Sequence, residues 1–163
     1  IMFVNDFLSE FDFKELENLF DNPQFSWYKQ TGVSYGKGDS LFSSDGIYFN
    51  HLAYRNGKIM SEVFPYVKPI INKLQVNELL RVQFNLYPKT SFIRKKHGWH
   101  KDYEFEHKGV ILSINTNNGK TITKEKSYKS IRNRAIFFSP HLPHRSTTCT
   151  DSDFRGNIIV NYV

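Results

Sequence analysis

The second half of the chain is a series of short apolar segments, and this feature most constrains the fold. Turn-forming sequences such as YPKT, NNG and RNR separate the segments. Six or more short strands at regular spacing are typical of a β-sandwich or a barrel. We therefore predict strands over residues 79–87, 98–105, 109–116, 120–125, 135–140 and 155–163.

The first half predicts a helical support that packs on this β part. SEFDFKELENLF (9–20) has the spacing of an amphipathic helix, and residues 60–74 predict a second helix that Pro69 kinks. Nothing resembles a linker, so the 163 residues predict a single α+β, mainly β, domain with parts 1–78 and 79–163. The remaining segments predict an extended stretch (25–35), a polar loop (36–46), a strand (47–55) and a turn (56–58).

Composition narrows the class of protein. The single cysteine, Cys149, excludes a scaffold of internal disulfides and favours a reducing, cytoplasmic compartment. No apolar run approaches the roughly 20 residues that a membrane helix needs, and the acidic N-terminus does not resemble a signal peptide. The net charge of +6 is compatible with nucleic acid, an acidic polypeptide or a small carboxylate as a partner.

The stretch HGWHKDYE (97–104) concentrates side chains that can bind a metal. In a strand, His100 and Asp102 would point to the same face. An imidazole and a carboxylate side by side make up two thirds of the facial triad that holds non-haem Fe(II). His97 would face away, and Glu104 would lie further along the shared face. The alternative is a polar pair on an exposed strand.

A triad needs another histidine from elsewhere in the fold. His107 is too close in sequence to return on a second strand, which leaves His141 and His144. A 2-oxo acid that chelates such an iron needs a fixed cation for its far carboxylate, and arginine is the best bidentate donor. Arg155 begins the last apolar segment 11 residues after His144, so a hairpin would bring it alongside. An edge-strand salt bridge is the alternative role for Arg155.

The ordered pattern His100-x-Asp102, His144 and Arg155 resembles the Fe(II)/2-oxoglutarate-dependent dioxygenases, and in particular small bacterial or viral members similar to prolyl-4-hydroxylases. The surrounding sequences FNLYPKTSF, ILSINTNNGKTIT and SIRNRAIFFSPHLPHRS resemble their strand and turn contexts. The resemblance covers residues 79–163. Asn133 stands where a glycine is usual, and asparagine tolerates a left-handed backbone. Asn157 stands where many members have serine or threonine.

The resemblance implies a double-stranded β-helix, a distorted jelly roll. It also implies oxidative decarboxylation of 2-oxoglutarate by O2 to succinate and CO2, coupled to hydroxylation of a C–H bond, with ascorbate a candidate reductant. It implies Fe(II) ligands His100, Asp102 and His144, and 2-oxoglutarate contacts from Arg155, Asn85 and Tyr87. Candidates for the substrate mouth are His97, Trp99, Glu104 and Arg94.

Several functions remain open at this point. The first is hydroxylation of a peptidyl or free amino acid in the cytoplasm of a bacterium or of a host cell. The second is AlkB-type oxidation of nucleic acid, since Asn85, Tyr87 and Glu104 also fit that pattern; against it, Asn161 occupies the position of the usual second arginine. The third is a jelly-roll binding module without turnover. The basic stretch 93–101 is either a solvated face or a mouth that steers an anionic substrate.

Overall fold

The computed structural model describes residues 2–31 and 46–163, which form two helices and eleven strands. The helices are α1 (Glu10–Asp21) and α2 (Phe64–Asn72). The strands are β1 (Met2–Val4), β2 (Tyr28–Gln30), β3 (Tyr48–Arg55), β4 (Lys58–Ile59), β5 (Leu79–Pro88), β6 (Lys108–Ser113), β7 (Lys120–Thr123), β8 (Ser127–Lys129), β9 (Ala135–Phe138), β10 (His144–Ser146) and β11 (Phe154–Tyr162).

Two antiparallel sheets make up the β part. The larger has the order β1-β9-β6-β11-β5-β3-β2 with β4 paired to β3, and the smaller has the order β10-β7-β8. Isolated bridges from Lys96 to Thr147 and from His100 to His144 add the segment 96–100 beside β10. From β5 onward, the chain therefore passes back and forth between the two sheets. This alternation is the topology of the predicted double-stranded β-helix.

The helices cover one face of the larger sheet. Ser9 caps α1, where its Oγ accepts a hydrogen bond of 3.1 Å from the Asp12 amide. Apolar side chains of both helices share a core with alternate residues of the central strands. The helices contribute Phe13, Leu16, Val67 and Ile70, and β5 and β11 contribute Val82, Phe84, Ile158 and Val160. Because side chains alternate along a strand, the odd-numbered residues of β5 from Arg81 onward and those of β11 face away from this core. That opposite face carries the candidate site.

Asn133 joins the N-terminal segment to the turn before β9. Its φ of 56° is left-handed, as expected for an asparagine in a glycine position. Its side chain accepts a hydrogen bond from the Leu8 amide (3.0 Å) and donates one to the Leu8 carbonyl (2.9 Å). The asparagine therefore also links two segments that are 125 residues apart.

Several predicted elements differ from those observed. The segment 98–105 is not a strand; it makes the single bridge at His100 and otherwise runs as an irregular loop. The second helix is shorter than predicted and accommodates Pro69 in its interior. The N-terminal part contributes four strands, of which β3 matches the predicted strand 47–55 and β2 lies in the predicted extended stretch, whereas β1 and β4 were not predicted. Of the predicted extended stretch and polar loop, residues 32–45 lie outside the described residues.

The two helices are also short. Within residues 2–31 and 46–163, no helix is long and apolar enough to cross a membrane.

Candidate metal and cosubstrate site

A cavity of about 370 Å³ is lined by residues from both sheets. The inward-facing residues of β5 and β11 form one wall, and the bridge between His100 and His144 lies at another. The larger sheet contributes Arg81, Gln83, Asn85, Tyr87, Ile111, Arg155, Asn157 and Ile159 to the lining, and the smaller sheet contributes Thr121, His144, Arg145 and Ser146.

His100, Asp102 and His144 meet in this cavity. Among the residues that the structure describes, they form one group whose ligand atoms all lie within 4.8 Å of one another. Asp102 Oδ1 is 3.9 Å from His100 Nε2 and 3.7 Å from His144 Nε2. Two backbone hydrogen bonds, of 2.9 and 3.0 Å, fix His100 against His144, and the Asp102 amide bonds the Pro140 carbonyl at 3.0 Å. The irregular segment that is held to β10 thus brings His100 and Asp102 to His144, as had been expected of a regular strand.

The two imidazoles present the right atoms to a cation. Nδ1 of His100 lies 3.2 Å from the Gly98 carbonyl, and Nδ1 of His144 lies 3.0 Å from the Leu142 carbonyl. A carbonyl only accepts, so Nδ1 of each ring donates its proton there and Nε2 is the ring atom left to bind a cation. Burial lowers the pKa of His144 to about 4, which keeps it neutral near pH 7. Two imidazoles and one carboxylate on one side fit non-haem Fe(II).

Asp102 is held by two partners that the sequence motif does not include. Its Oδ2 lies 2.9 Å from a guanidinium nitrogen of Arg81 and accepts a 2.8 Å hydrogen bond from Asn161 Nδ2. Burial acts to raise the pKa of Asp102, but Arg81, His144 and Asn161 outweigh it, and the net shift is downward. The carboxylate therefore stays ionised, with Oδ1 left for the histidines.

Arg155 lies in the same cavity wall and is 1% exposed. It donates hydrogen bonds to Ser130 Oγ (2.8 Å), Thr121 Oγ1 (2.8 Å) and the Thr147 carbonyl (3.3 Å). Within the described part of the chain, no carboxylate pairs with it. A buried guanidinium without a counter-ion is costly, because desolvation is not repaid by an opposite charge. The site is thus suited to bind the carboxylate of a ligand.

Asn85 and Tyr87 line the cavity on the strand next to Arg155. Asn85 accepts a hydrogen bond from Gln83 (2.7 Å) and donates one to Asn157 (3.1 Å). The Tyr87 ring lies 5.4 Å from the Arg155 guanidinium carbon. The structure brings both residues to the cavity, and their contact with a cosubstrate stays a prediction.

The four predicted mouth residues do not line this cavity. His97 was predicted at the substrate mouth but is buried. It is 1% exposed, bonds Ser146 Oγ at 2.6 Å and stacks on Tyr87. Burial lowers its pKa to about 3, so it is a neutral packing residue. The prediction placed it on a regular strand, whereas an irregular segment turns it inward. Glu104 points to solvent and pairs with Lys101 at 2.8 Å.

The other two mouth candidates lie elsewhere. Arg94 donates a 2.6 Å hydrogen bond to the Asn118 carbonyl and borders a separate groove. Trp99 packs under the cations of Lys124 and Arg145, at 4.0 and 4.4 Å from its ring centroid. The cavity itself is bordered by Arg55, Lys101 and Arg145, of which only Lys101 belongs to the predicted basic stretch.

The remaining histidines do not join the metal cluster. His107 is buried, and its Nε2 lies 3.2 Å from Asn161 Nδ2. His107 thus contacts the same asparagine that bonds Asp102. His141 lies near His107, with ring centroids 6.2 Å apart. Neither residue belongs to the group formed by His100, Asp102 and His144.

Solved structures share this fold at low sequence identity. A prolyl hydroxylase from Trichoplax adhaerens in complex with a hypoxia-inducible-factor peptide aligns with a TM-score of 0.64 and 13% identity, over 99% of this chain and 82% of that one. A Pseudomonas putida prolyl-4-hydroxylase gives 0.63 and 9%, over 99% and 91%. A 2OG-Fe(II) oxygenase family protein from Burkholderia pseudomallei gives 0.62 and 13%, over 91% and 77%.

The sequence itself finds no such match. No protein-family model and no curated protein matches it significantly. The chain thus has the double-stranded β-helix fold found in prolyl hydroxylases and 2OG-Fe(II) oxygenases.

Proposed function

We propose that the protein is a non-haem Fe(II)- and 2-oxoglutarate-dependent oxygenase that hydroxylates a C–H bond and releases succinate and CO2. One observation carries the proposal. The cluster of His100, Asp102 and His144 lines the same cavity as the buried Arg155, which pairs with no carboxylate among the described residues. A metal site and a separate carboxylate site in one cavity match the two ends of 2-oxoglutarate.

Each residue has a role in this proposal. His100, Asp102 and His144 would hold Fe(II) on one side, which leaves positions for 2-oxoglutarate and O2. Iron supplies the activation of O2 when it is bound. Arg155 would bind the far carboxylate of 2-oxoglutarate as a bidentate donor. Thr121 and Ser130 orient the guanidinium of Arg155 through hydrogen bonds of 2.8 Å.

The proposed substrate is a peptidyl or free amino acid. Two of the similar structures are prolyl hydroxylases, and one of them contains a bound peptide. Nucleic acid is the alternative substrate, and a binding module without turnover is the alternative to an enzyme.

The test is formation of succinate from 2-oxoglutarate in the presence of Fe(II), ascorbate and O2. We expect iron-dependent succinate from the wild type and none from His144→Ala, since two ligands hold the metal too weakly. His141→Ala is the matched control because this histidine lies outside the cluster, and we expect it to behave as wild type. Equal activity in His144→Ala, or no succinate from the iron-loaded wild type, would refute the proposal.

The same assay separates the substrates. A substrate increases succinate formation above the rate seen with 2-oxoglutarate alone. We expect amino acids or peptides to do so and single-stranded oligonucleotides to have no effect. Stimulation by oligonucleotides alone would support the nucleic-acid alternative.

A further inference from the structure

A row of basic residues crosses the strands beside the metal cluster. In the registers of the larger sheet, Arg55 on β3 lies opposite Lys58 on β4 and opposite Arg81 on β5. Like charges directly opposite each other on neighbouring strands are destabilising. A bound anion would offset this cost.

Within the row, one cation already has an acidic partner. Arg81 pairs with Asp102 at 2.9 Å. Among residues 2–31 and 46–163, no carboxylate lies within ion-pair distance of Arg55 or Lys58. Arg55 is exposed, and it lines the same cavity as His100 and Asp102. Its guanidinium is therefore a cation at the edge of the candidate active site that no carboxylate of the described residues neutralises.

The wall next to Arg55 consists of amide side chains. Gln30, Asn50 and Gln83 come from β2, β3 and β5 and all line the cavity. Gln30 Nε2 donates to Asn50 Oδ1 at 3.3 Å, and Gln83 Nε2 donates to Asn85 Oδ1 at 2.7 Å. These bonds use one donor of each glutamine, and no described residue bonds the Asn50 NH2 group or the two glutamine carbonyls. Polar groups of a ligand can bind there.

We propose that Arg55 and this amide wall form the subsite for the substrate that is hydroxylated, and that this substrate carries a carboxylate which Arg55 binds. The proposal rests on the proposed function and specifies its substrate class. A planar carboxylate matches the two-pronged guanidinium. The amides bind polar atoms such as an amino group or a peptide amide. Gln30, Asn50 and Arg55 all come from the N-terminal part, outside the strands that carry the metal cluster.

Two sources of carboxylate fit this chemistry, a free amino acid and an acidic residue of a peptide. The wall does not match a neutral prolyl ring, which would bring apolar surface against amides. It also does not match an extruded base, which is bound by stacking between aromatic or apolar side chains.

Binding can be measured by NMR on the metal-free, ¹⁵N-labelled full chain. The probes are individual L-amino acids, the carboxamide of each, and short peptides with blocked ends that contain aspartate or glutamate. We expect at least one carboxylate to shift the side-chain amide signals of Gln30, Asn50 and Gln83. Its carboxamide should bind about tenfold more weakly, because it loses a charge-assisted hydrogen bond. Free amino acids and blocked acidic peptides identify the source of the carboxylate.

Two variants test whether Arg55 causes the preference for a carboxylate over its carboxamide. Arg55→Gln should bind acid and carboxamide equally. Lys29→Gln removes a charge from an exposed residue of β2 that does not line the cavity, and it should keep the wild-type preference. Thermal unfolding of each variant confirms that it is folded.

Several outcomes would overturn the proposal. They are equal binding of acid and carboxamide by the wild type, an unchanged preference in Arg55→Gln, or no signal shift with any carboxylate. A dinucleotide is added as a further probe, and its binding in place of every carboxylate would also overturn the proposal. The measurement uses no iron and no 2-oxoglutarate, so it is independent of turnover. A carboxylate preference without iron-dependent succinate would refute the proposed function and leave this site in place.

Discussion

The guanidinium of Arg81 lies 2.9 Å from Oδ2 of Asp102. Its Nε donates to Asn161 Oδ1 at 3.0 Å, and Asn161 Nδ2 in turn donates to Asp102 Oδ2 at 2.8 Å. Arg81 and Asn161 face each other on paired strands. The pair therefore occupies one carboxylate oxygen and leaves the other, Oδ1, directed at the two histidines. A partner that orients a metal ligand in this way affects metal affinity without touching the metal.

Replacement of Arg81 by methionine should weaken metal binding. We expect Arg81→Met to reduce Fe(II) affinity about 10- to 100-fold, because Asp102 loses one of the two partners that orient it and its neighbouring positive charge. Anaerobic titration with Fe(II) measures this. Arg134→Met is the control, since Arg134 bonds Asn5 and covers Phe3 on β1. Wild-type affinity in Arg81→Met would show that the pair does not support the metal site.

Replacement of Asn133 by glycine should destabilise the fold. Glycine adopts the left-handed backbone without strain, so the change isolates the two side-chain hydrogen bonds to Leu8. We expect a loss of about 2 kcal/mol in the free energy of unfolding, because the buried Leu8 amide and carbonyl lose their partner. Urea denaturation measures the change. Stability equal to the wild type would mean that Leu8 finds other partners.

The burial of His97 should make stability depend on pH. Burial lowers its pKa from 6.5 to about 3, so below pH 6.5 the unfolded chain binds a proton that the folded chain does not. Stability therefore falls as pH drops from about 6.5 toward 3. In His97→Gln this proton uptake is absent, and the slope between about pH 6 and pH 4 should be smaller by up to about 1.4 kcal/mol per pH unit. Urea denaturation across this range measures the slope, and equal slopes would contradict the assigned burial.

Much of the fold follows from short-range sequence patterns. The alternation along 79–87 and the apolar run of 155–163 predicted β5 and β11, the paired strands at the centre of the larger sheet. The amphipathic spacing of residues 9–20 predicted α1 almost to the residue. These signals are local, so no knowledge of the tertiary fold was needed.

The site residues that belong to the sequence motif could be predicted. His100, Asp102, His144 and Arg155 were chosen by order and spacing, and the structure places all four in one cavity. The strand argument behind His100 and Asp102 was nevertheless wrong, because their segment is irregular and is held only by the bridge to His144.

The residues around the site depend on strand register, which the sequence does not show. Arg81 meets Asp102 because β5 pairs with β11 in a register that sets Arg81 beside Asn161. Arg55 reaches the cavity only because β3 pairs with β5 after a shift in register. His97 was misplaced for a related reason, since its burial depends on where β10 presents Ser146.

The most direct test of the account is the visible spectrum of the protein with Fe(II) and 2-oxoglutarate in the absence of oxygen. Chelation of a protein-bound iron by 2-oxoglutarate gives a weak charge-transfer band. We predict this band for the wild type, its loss in His144→Ala, and a much higher 2-oxoglutarate requirement in Arg155→Met, where the carboxylate has no guanidinium partner. A wild-type chain that binds Fe(II) but shows no band at saturating 2-oxoglutarate would contradict the account.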